Sequence, residues 1–213
     1  MTDRLQKIFS IIPECEVFAD VGCDHGYIAQ AMLKSNKANK VIISDISEKC
    51  LQKAQELLYP YIKSNRAQSV VSNGFEKIPY CDVALIAGMG GEEICSILTN
   101  AKSLPKILVL QPMKNADKVR LLAVNKGYKV VKDYLFKSAS KFYDLMLLVE
   151  GQDRLTDEEI EFGRDNLNLS NQDFKEFLSV KIERINCCLM DKKLSNLDRE
   201  KMLKQKEKLQ KYV

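Results

Sequence analysis

The sequence predicts an α/β protein in which a doubly wound, mostly parallel sheet ends in an antiparallel pair and is followed by a helical appendage. Three observations predict it. Short apolar runs alternate with longer amphipathic stretches up to about residue 126, the pattern of buried parallel strands joined by crossover helices. Two strand-like runs then follow one another without a helix between them, so they should pair antiparallel. Beyond Gly151 the chain turns polar and keeps a helical period to its end.

The elements can be justified in order. Val17-Phe18-Ala19 is the first strand, ending at Asp20, and a helix is expected over about 26–35. Val41-Ile42-Ile43 is the second strand and precedes a helix over 47–63; a third strand should end near Asn73. Asp82 to Ile86 and Ile107 to Leu110 are the next two strands, with helices expected at 90–100 and 115–126. Gly127 to Val131 and Tyr143 to Val149 form the antiparallel pair. In the appendage, Thr156-Asp157-Glu158-Glu159 has the form of a capping box and Ser170-Asn171-Gln172-Asp173 is a second helix start. Phe174, Leu178, Ile182, Ile185 and Leu189 then recur at spacings of four and three, and a last helix after Ser195-Asn196 offers Leu203 and Leu209 for packing. The expectation is two domains, 1–151 and 152–213, the second an antiparallel helical hairpin resembling a coiled coil.

Bulk properties exclude several classes of function. No apolar run approaches the roughly 20 residues that span a membrane, and Met1-Thr2-Asp3-Arg4 does not resemble a signal segment, so the cytoplasm is the expected compartment. Seven cysteines form no CxxC pair and are expected to be reduced, mostly buried small hydrophobes. His25 is the single histidine, which argues against a metal site. The formal charge of +4 is unevenly spread: residues 151–180 carry −5 and residues 181–213 carry +5. Nothing prescribes an assembly, and a monomer is expected.

The chemistry centres on Asp20-Val21-Gly22-Cys23-Asp24-His25-Gly26. After a strand the chain must turn sharply, pass close to a ligand and start a helix, and glycine serves each need. The dinucleotide pattern GxGxxG is absent, and an aspartate at position 24 opposes a pyrophosphate at this turn. An amino-acid ammonium would instead find a carboxylate in Asp20 or Asp24. Asp45, about twenty residues on at the end of the second strand, suits ribose hydroxyls, or else it caps the helix over 47–63. Asn73-Gly74-Phe75 places an amide and an aromatic where an adenine could lie, or is a plain turn. Ala87-Gly88-Met89-Gly90-Gly91 puts small residues at the carboxyl end of the central strand, where open α/β sheets bind ligands.

Taken in order, Arg4-Leu5, the turn at 20–27, Asp45-Ile46, Asn73-Gly74-Phe75, residues 87–91, Leu110-Gln111-Pro112-Met113, Arg120-Leu121 and Tyr143 resemble the bacterial tRNA (adenine-22-N1)-methyltransferase family. Cys23 stands where the family has serine, Gly26 where it has alanine, and Ala29-Gln30 where a leucine-proline pair is common. The resemblance implies a Rossmann-like class I methyltransferase sheet with a coiled-coil-like C-terminal domain that contacts tRNA. It implies S-adenosylmethionine as cofactor, bound by Asp20, Gly22, Cys23, Asp24, His25, Asp45, Ile46, Asn73, Gly74, Phe75 and Gly88. Tyr27, Met89, Gly90, Gln111, Lys192 and Lys193 are its candidate substrate residues, and Asp24 is the candidate catalytic residue or a purely cofactor-binding one. A methyltransferase for another RNA, a protein or a small molecule, or a non-enzymatic RNA-binding scaffold, would share the cofactor motifs.

Overall fold

Strands form where every residue must be apolar because both faces of the sheet are covered. The computed structural model describes residues 1–168, 171–191 and 193–213. The elements are α1 (Asp3–Ile11), β1 (Cys15–Val21), α2 (Tyr27–Lys34), β2 (Ala38–Asp45), α3 (Glu48–Lys63), β3 (Ala67–Val71), β4 (Val83–Met89), α4 (Gly91–Asn100), β5 (Ile107–Pro112), α5 (Ala116–Asn125), β6 (Tyr128–Ser138) and β7 (Lys141–Glu150). They are followed by α6 (Asp157–Phe162), α7 (Arg164–Asn168), α8 (Gln172–Leu189) and α9 (Asn196–Gln210).

The strands form one sheet in the order β3-β2-β1-β4-β5-β7-β6, in which β7 alone runs against its neighbours. This is the Rossmann-like methyltransferase arrangement expected from the sequence. Alternation along β4 shows how the layers divide. Val83 and Leu85 face a core built on α1, α2 and α3, whereas Ala84 and Ile86 face one built on α4 and α5. All four are buried, so the run had no polar phase to display.

Three local expectations change. Helix α1 was not anticipated, although Thr2 caps it by accepting from the Leu5 amide (3.4 Å) and Ile8 and Ile11 are buried on one face. Strands β6 and β7 extend to a tight hairpin around Ala139 (φ 52°), longer at the turn than their apolar runs suggested. Of the cysteines, only Cys23 and Cys81 are buried, and Cys187 and Cys188 are exposed, because both lie on the outer side of α8.

The appendage packs on the outer edge of β6 and closes it with side chains. Four amides that face away from β7 donate to it: Val130 N to Asp153 Oδ2 (2.9 Å), Asp133 N to Asp165 Oδ2 (2.8 Å), Leu135 N to Asn166 Oδ1 (2.8 Å) and Lys137 N to Asp173 Oδ2 (2.9 Å). Asn171 returns a donor, from Nδ2 to the Leu135 carbonyl (2.6 Å). The appendage thus does for this edge what an eighth strand would do, and removes a row of open backbone groups. Behind it Arg120, 1% exposed, bonds Asp133 (2.8 Å), Asp144 (2.6 Å) and the Ile160 carbonyl (3.3 Å), tying α5, β6, β7 and α6 together. Burial pulls this guanidinium down, but the two carboxylates outweigh burial and hold it above its ordinary value.

Helices α8 and α9 form an antiparallel hairpin. Phe162 meets both Phe174, at the start of α8 (5.8 Å between centroids), and Tyr212, just past the end of α9 (5.1 Å). Leu209 is buried as expected, but Leu203 is 44% exposed; Met202, one position earlier and seven before Leu209, packs in its place. The first residue of the second capping signal, Ser170, lies outside the described residues, and the Asn171 side chain caps α8. Among the described residues no helix is long and apolar enough to cross a membrane, and no group of side chains could hold a metal ion.

Candidate cofactor and substrate site

The carboxyl ends of β1, β2 and β4 meet at one place, and backbone conformation there is set by glycine. Gly22 has φ +75°, and its amide and that of Cys23 both donate to the Ser44 carbonyl on β2 (2.8 and 2.9 Å), which holds the turn against the neighbouring strand. Gly26 caps α2 at φ +71°, where a Cβ would press on Ala54 of α3 at 3.1 Å. Sequence and packing therefore leave little freedom at either end of the turn.

Between them lie two aspartates in opposite environments. Asp20 is buried, and desolvation pushes its carboxyl up to about 7, despite hydrogen bonds from the Cys23 thiol and the Ala29 amide. Desolvation and the nearby Asp20 charge also push the Cys23 thiol upward, so it is no nucleophile at neutral pH. Asp24 projects outward and contacts His25 Nδ1 at 2.7 Å. His25 in turn stacks on Tyr27, with centroids 5.5 Å apart and planes 6° from parallel.

A cavity of about 200 Å³ opens over Gly22. Asp45, Ile46, Asn73 and Gly74 line it, together with Met89, expected as a substrate residue, and Glu93 from the first turn of α4. Asp45 Oδ1 accepts from the Ser47 amide (2.8 Å), while Ser47 itself caps α3, so Asp45 is not the cap and its second oxygen is left for another donor. The lining contains two carboxylates and no lysine or arginine. Such a cavity suits a ligand that carries positive charge and hydroxyl groups and opposes one that carries phosphate. The Met89 methyl narrows it, lying 1.8 Å from where a Cβ on Gly22 would sit, and the φ of +75° is what favours glycine beneath it.

On the other side of Met89 is a polar cluster at the ends of β4 and β5. Gln111 is fully buried; its Nε2 donates to the Pro112 carbonyl (2.9 Å), and among the described residues its Oε1 has no partner. Arg4 reaches in from α1, its Nε likewise buried without a partner and its guanidinium 5.5 Å from the Tyr143 ring centroid. A Cβ on Gly88 (φ +83°) would lie 3.1 Å from an Arg4 nitrogen. Gly90 precedes α4, and Gly91 is where a Cβ would strike the Lys114 and Asn115 carbonyls at 2.4–2.5 Å.

Of the expected cofactor residues, Gly22, Asp45, Ile46, Asn73 and Gly74 line the cavity, whereas Asp20, Cys23, Asp24, His25 and Gly88 do not. Phe75 is 9% exposed in the core between the sheet and α4 and does not line the cavity. Lys193 lies in the connection between α8 and α9, and Lys192 is outside the described residues. Reading the sequence for function missed Glu93, which has the pattern of an ordinary first-turn acid, and the inward reach of Arg4.

The family described as methyltransferase domain matches residues 1–146. The chain belongs to this family. Among relatives of this methyltransferase, it is 29% identical over 182 residues to a Mycoplasma pneumoniae protein provisionally named a tRNA methyltransferase, covering 81% of this chain and 84% of that one. It is 28% identical over 159 residues to the tRNA (adenine(22)-N(1))-methyltransferase of Bacillus subtilis, covering 72% of this chain and 66% of that protein. The structure of M. capricolum TrmK in complex with S-adenosyl-homocysteine superposes with a TM-score of 0.89 at 23% identity, over 100% of this chain and 97% of that one, which shows the common fold.

Proposed function

We propose that this protein transfers a methyl group from S-adenosylmethionine to N1 of an adenine in tRNA, the adenine at position 22, and acts in the cytoplasm. The observation that carries the reading is the acid-lined cavity over Gly22, beside a buried carboxylate; among the described residues neither has a cation of its own. Its two sides divide the labour. The bound cofactor supplies a methyl group on a positively charged sulfur. Asp20 beneath the turn is the partner for the ammonium, Asp45 for ribose hydroxyls, and Ile46 with Asn73 and Gly74 for the adenine ring.

The target base enters from the Gly88 and Met89 side. Adenine N1 already carries a lone pair at neutral pH, so the protein's task is to place it in line and not to deprotonate it. The parallel His25 and Tyr27 rings form a platform for the base, and Gln111 Oε1 is a buried acceptor for its exocyclic amino group. Asp24, exposed beside the turn and 2.7 Å from His25 Nδ1, stabilises the cationic product or accepts its N6 proton. Residues 1–151 form the cofactor-binding domain and residues 152–213 the part that holds the tRNA.

Nucleoside mass spectrometry of tRNA incubated with the protein and labelled cofactor is the direct test. Labelled 1-methyladenosine at position 22 is expected; label in another nucleoside, or none, would sink the assignment. Asp24→Ala is expected to lower turnover at least about a hundredfold, in the usual range for a group acting on the proton or charge of the transition state, with little change in cofactor affinity by calorimetry. Comparable loss of both would leave Asp24 a binding residue.

A further inference from the structure

The tip of the β6–β7 hairpin does not touch α8 along its whole length. A cleft of about 480 Å³ separates them. It is lined by Lys137, Lys141, Lys181 and Arg184, with Phe142 and Phe177 on its floor. The single acid of the lining, Glu176, is already engaged by Lys137. Among the described residues no carboxylate lies within ion-pair distance of Lys141, Lys181 or Arg184, so the cleft carries three uncompensated positive charges. Lys181 lies 4.6 Å from the Phe177 centroid, and the two phenylalanine rings are 5.4 Å apart, both half-buried and tilted so that neither covers the other's face.

The cleft is continuous with the polar cluster beside Met89. Tyr143, under the Arg4 guanidinium, lines it, and so does Met113, whose sulfur lies 3.6 Å from Gln111 Nε2. A chain of nucleotides whose target base sits at Gly88 and Gln111 would run directly into it. We infer that this cleft is the docking site for an unpaired nucleotide flanking the target adenine, its phosphate on Lys141, Lys181 and Arg184 and its base against Phe142. Positive charge that tracks a backbone, interleaved with aromatic faces, is how proteins hold single-stranded nucleic acid. An acidic peptide would use the charges but not the rings. The inference rests on the RNA reading above and places the principal contact at the junction of the two domains.

The test compares two full-length variants with equal change of charge: Lys141→Ala/Lys181→Ala/Arg184→Ala in the cleft and Lys201→Ala/Lys204→Ala/Lys211→Ala on α9 and its C-cap. All six side chains reach the surface, so cofactor affinity and thermal midpoint should match the wild type. The cleft variant is expected to lose at least about tenfold in tRNA affinity, and its slope of log affinity against log salt should shallow by about 0.7–0.9, the contribution of the one phosphate the cleft holds. The α9 variant should lose less than about threefold. Equal losses, or an unchanged cleft variant, would overturn the inference while leaving the activity standing; a wild type that neither binds nor methylates tRNA would overturn both. Ultraviolet cross-linking of bound tRNA should place nucleotide on the peptide containing Phe142, and cross-links confined to α9 would count against the cleft.

Discussion

Two buried aspartates, Asp20 at the end of β1 and Asp133 in the middle of β6, show how one residue type serves function in one region and structure in another. Asp133 is met by Arg120 at 2.8 Å inside the protein, and the pair fastens the appendage to the sheet. Asp20 is met by a thiol and an amide but, among the described residues, no cation, and its carboxyl is pushed up to about 7. A buried acid with its own counter-charge completes the fold. A buried acid without one, beside a cavity, is poised for a ligand that brings the charge.

The largest effect should come from removing the counter-charge that exists. Arg120→Met leaves Asp133 uncompensated and deprives Asp144 and the Ile160 carbonyl of a donor, so a loss of about 3–5 kcal/mol is expected, a fall of roughly 10 °C in thermal midpoint for a chain of this size. Arg120→Met/Asp133→Leu should recover much of it, because an apolar pair of similar volume replaces an ion pair at little cost. A single variant within about 1 kcal/mol of wild type would mean that the appendage is held by something else.

Asp20→Asn should act in the opposite sense on stability. The folded-state carboxyl titrates at about 7 against an ordinary 3.8, so between those values the folded chain binds more protons than the unfolded one. The contribution of this group is fully present below about pH 4 and is lost as pH rises through 7. Thermal unfolding of the ligand-free wild type relative to Asp20→Asn should therefore worsen from pH 4 to 7 and level off above, while cofactor affinity falls about tenfold to a hundredfold in the variant, or roughly 1.4–2.8 kcal/mol. A flat difference between the two proteins across that range would refute the unpaired-acid account.

The two regions also differed in how legible they were. Strands β1, β2, β4 and β5 and the helices between them lie within about three residues of the positions their apolar runs mark, because a doubly covered parallel sheet writes its burial into consecutive residues. The turn at 20–26 was equally plain, since a positive φ at Gly22 and Gly26 leaves few residue choices. Asp153, Asp165, Asn166 and Asp173 gave no such signal. They read as part of an acidic stretch, yet three of those charges explain why residues 151–180 are negative: each accepts from an amide on β6 some 20–40 positions upstream. Side-chain closure of a strand edge has no period along the sequence. Glu93 was hidden for a related reason, since an acid in a first helical turn is explained by the helix dipole before any ligand is considered.

The smallest effect concerns a single tie on that edge. Asp165→Ala removes the acceptor for the Asp133 amide, which is held at 2.8 Å beside the Arg120 pair, and leaves that donor in the seam between β6 and α7. An unsatisfied buried amide costs about 1–3 kcal/mol, less than removal of the cation because the ion pair itself survives. Hydrogen exchange separates this from a general weakening. The Asp133 amide should lose protection in the variant, while Leu135, bound by Asn166 at 2.8 Å on the same edge, keeps most of its own. If protection is lost together at Val130, Asp133, Leu135 and Lys137, the four contacts open as one unit, and the appendage behaves as a strand would and not as a row of independent caps.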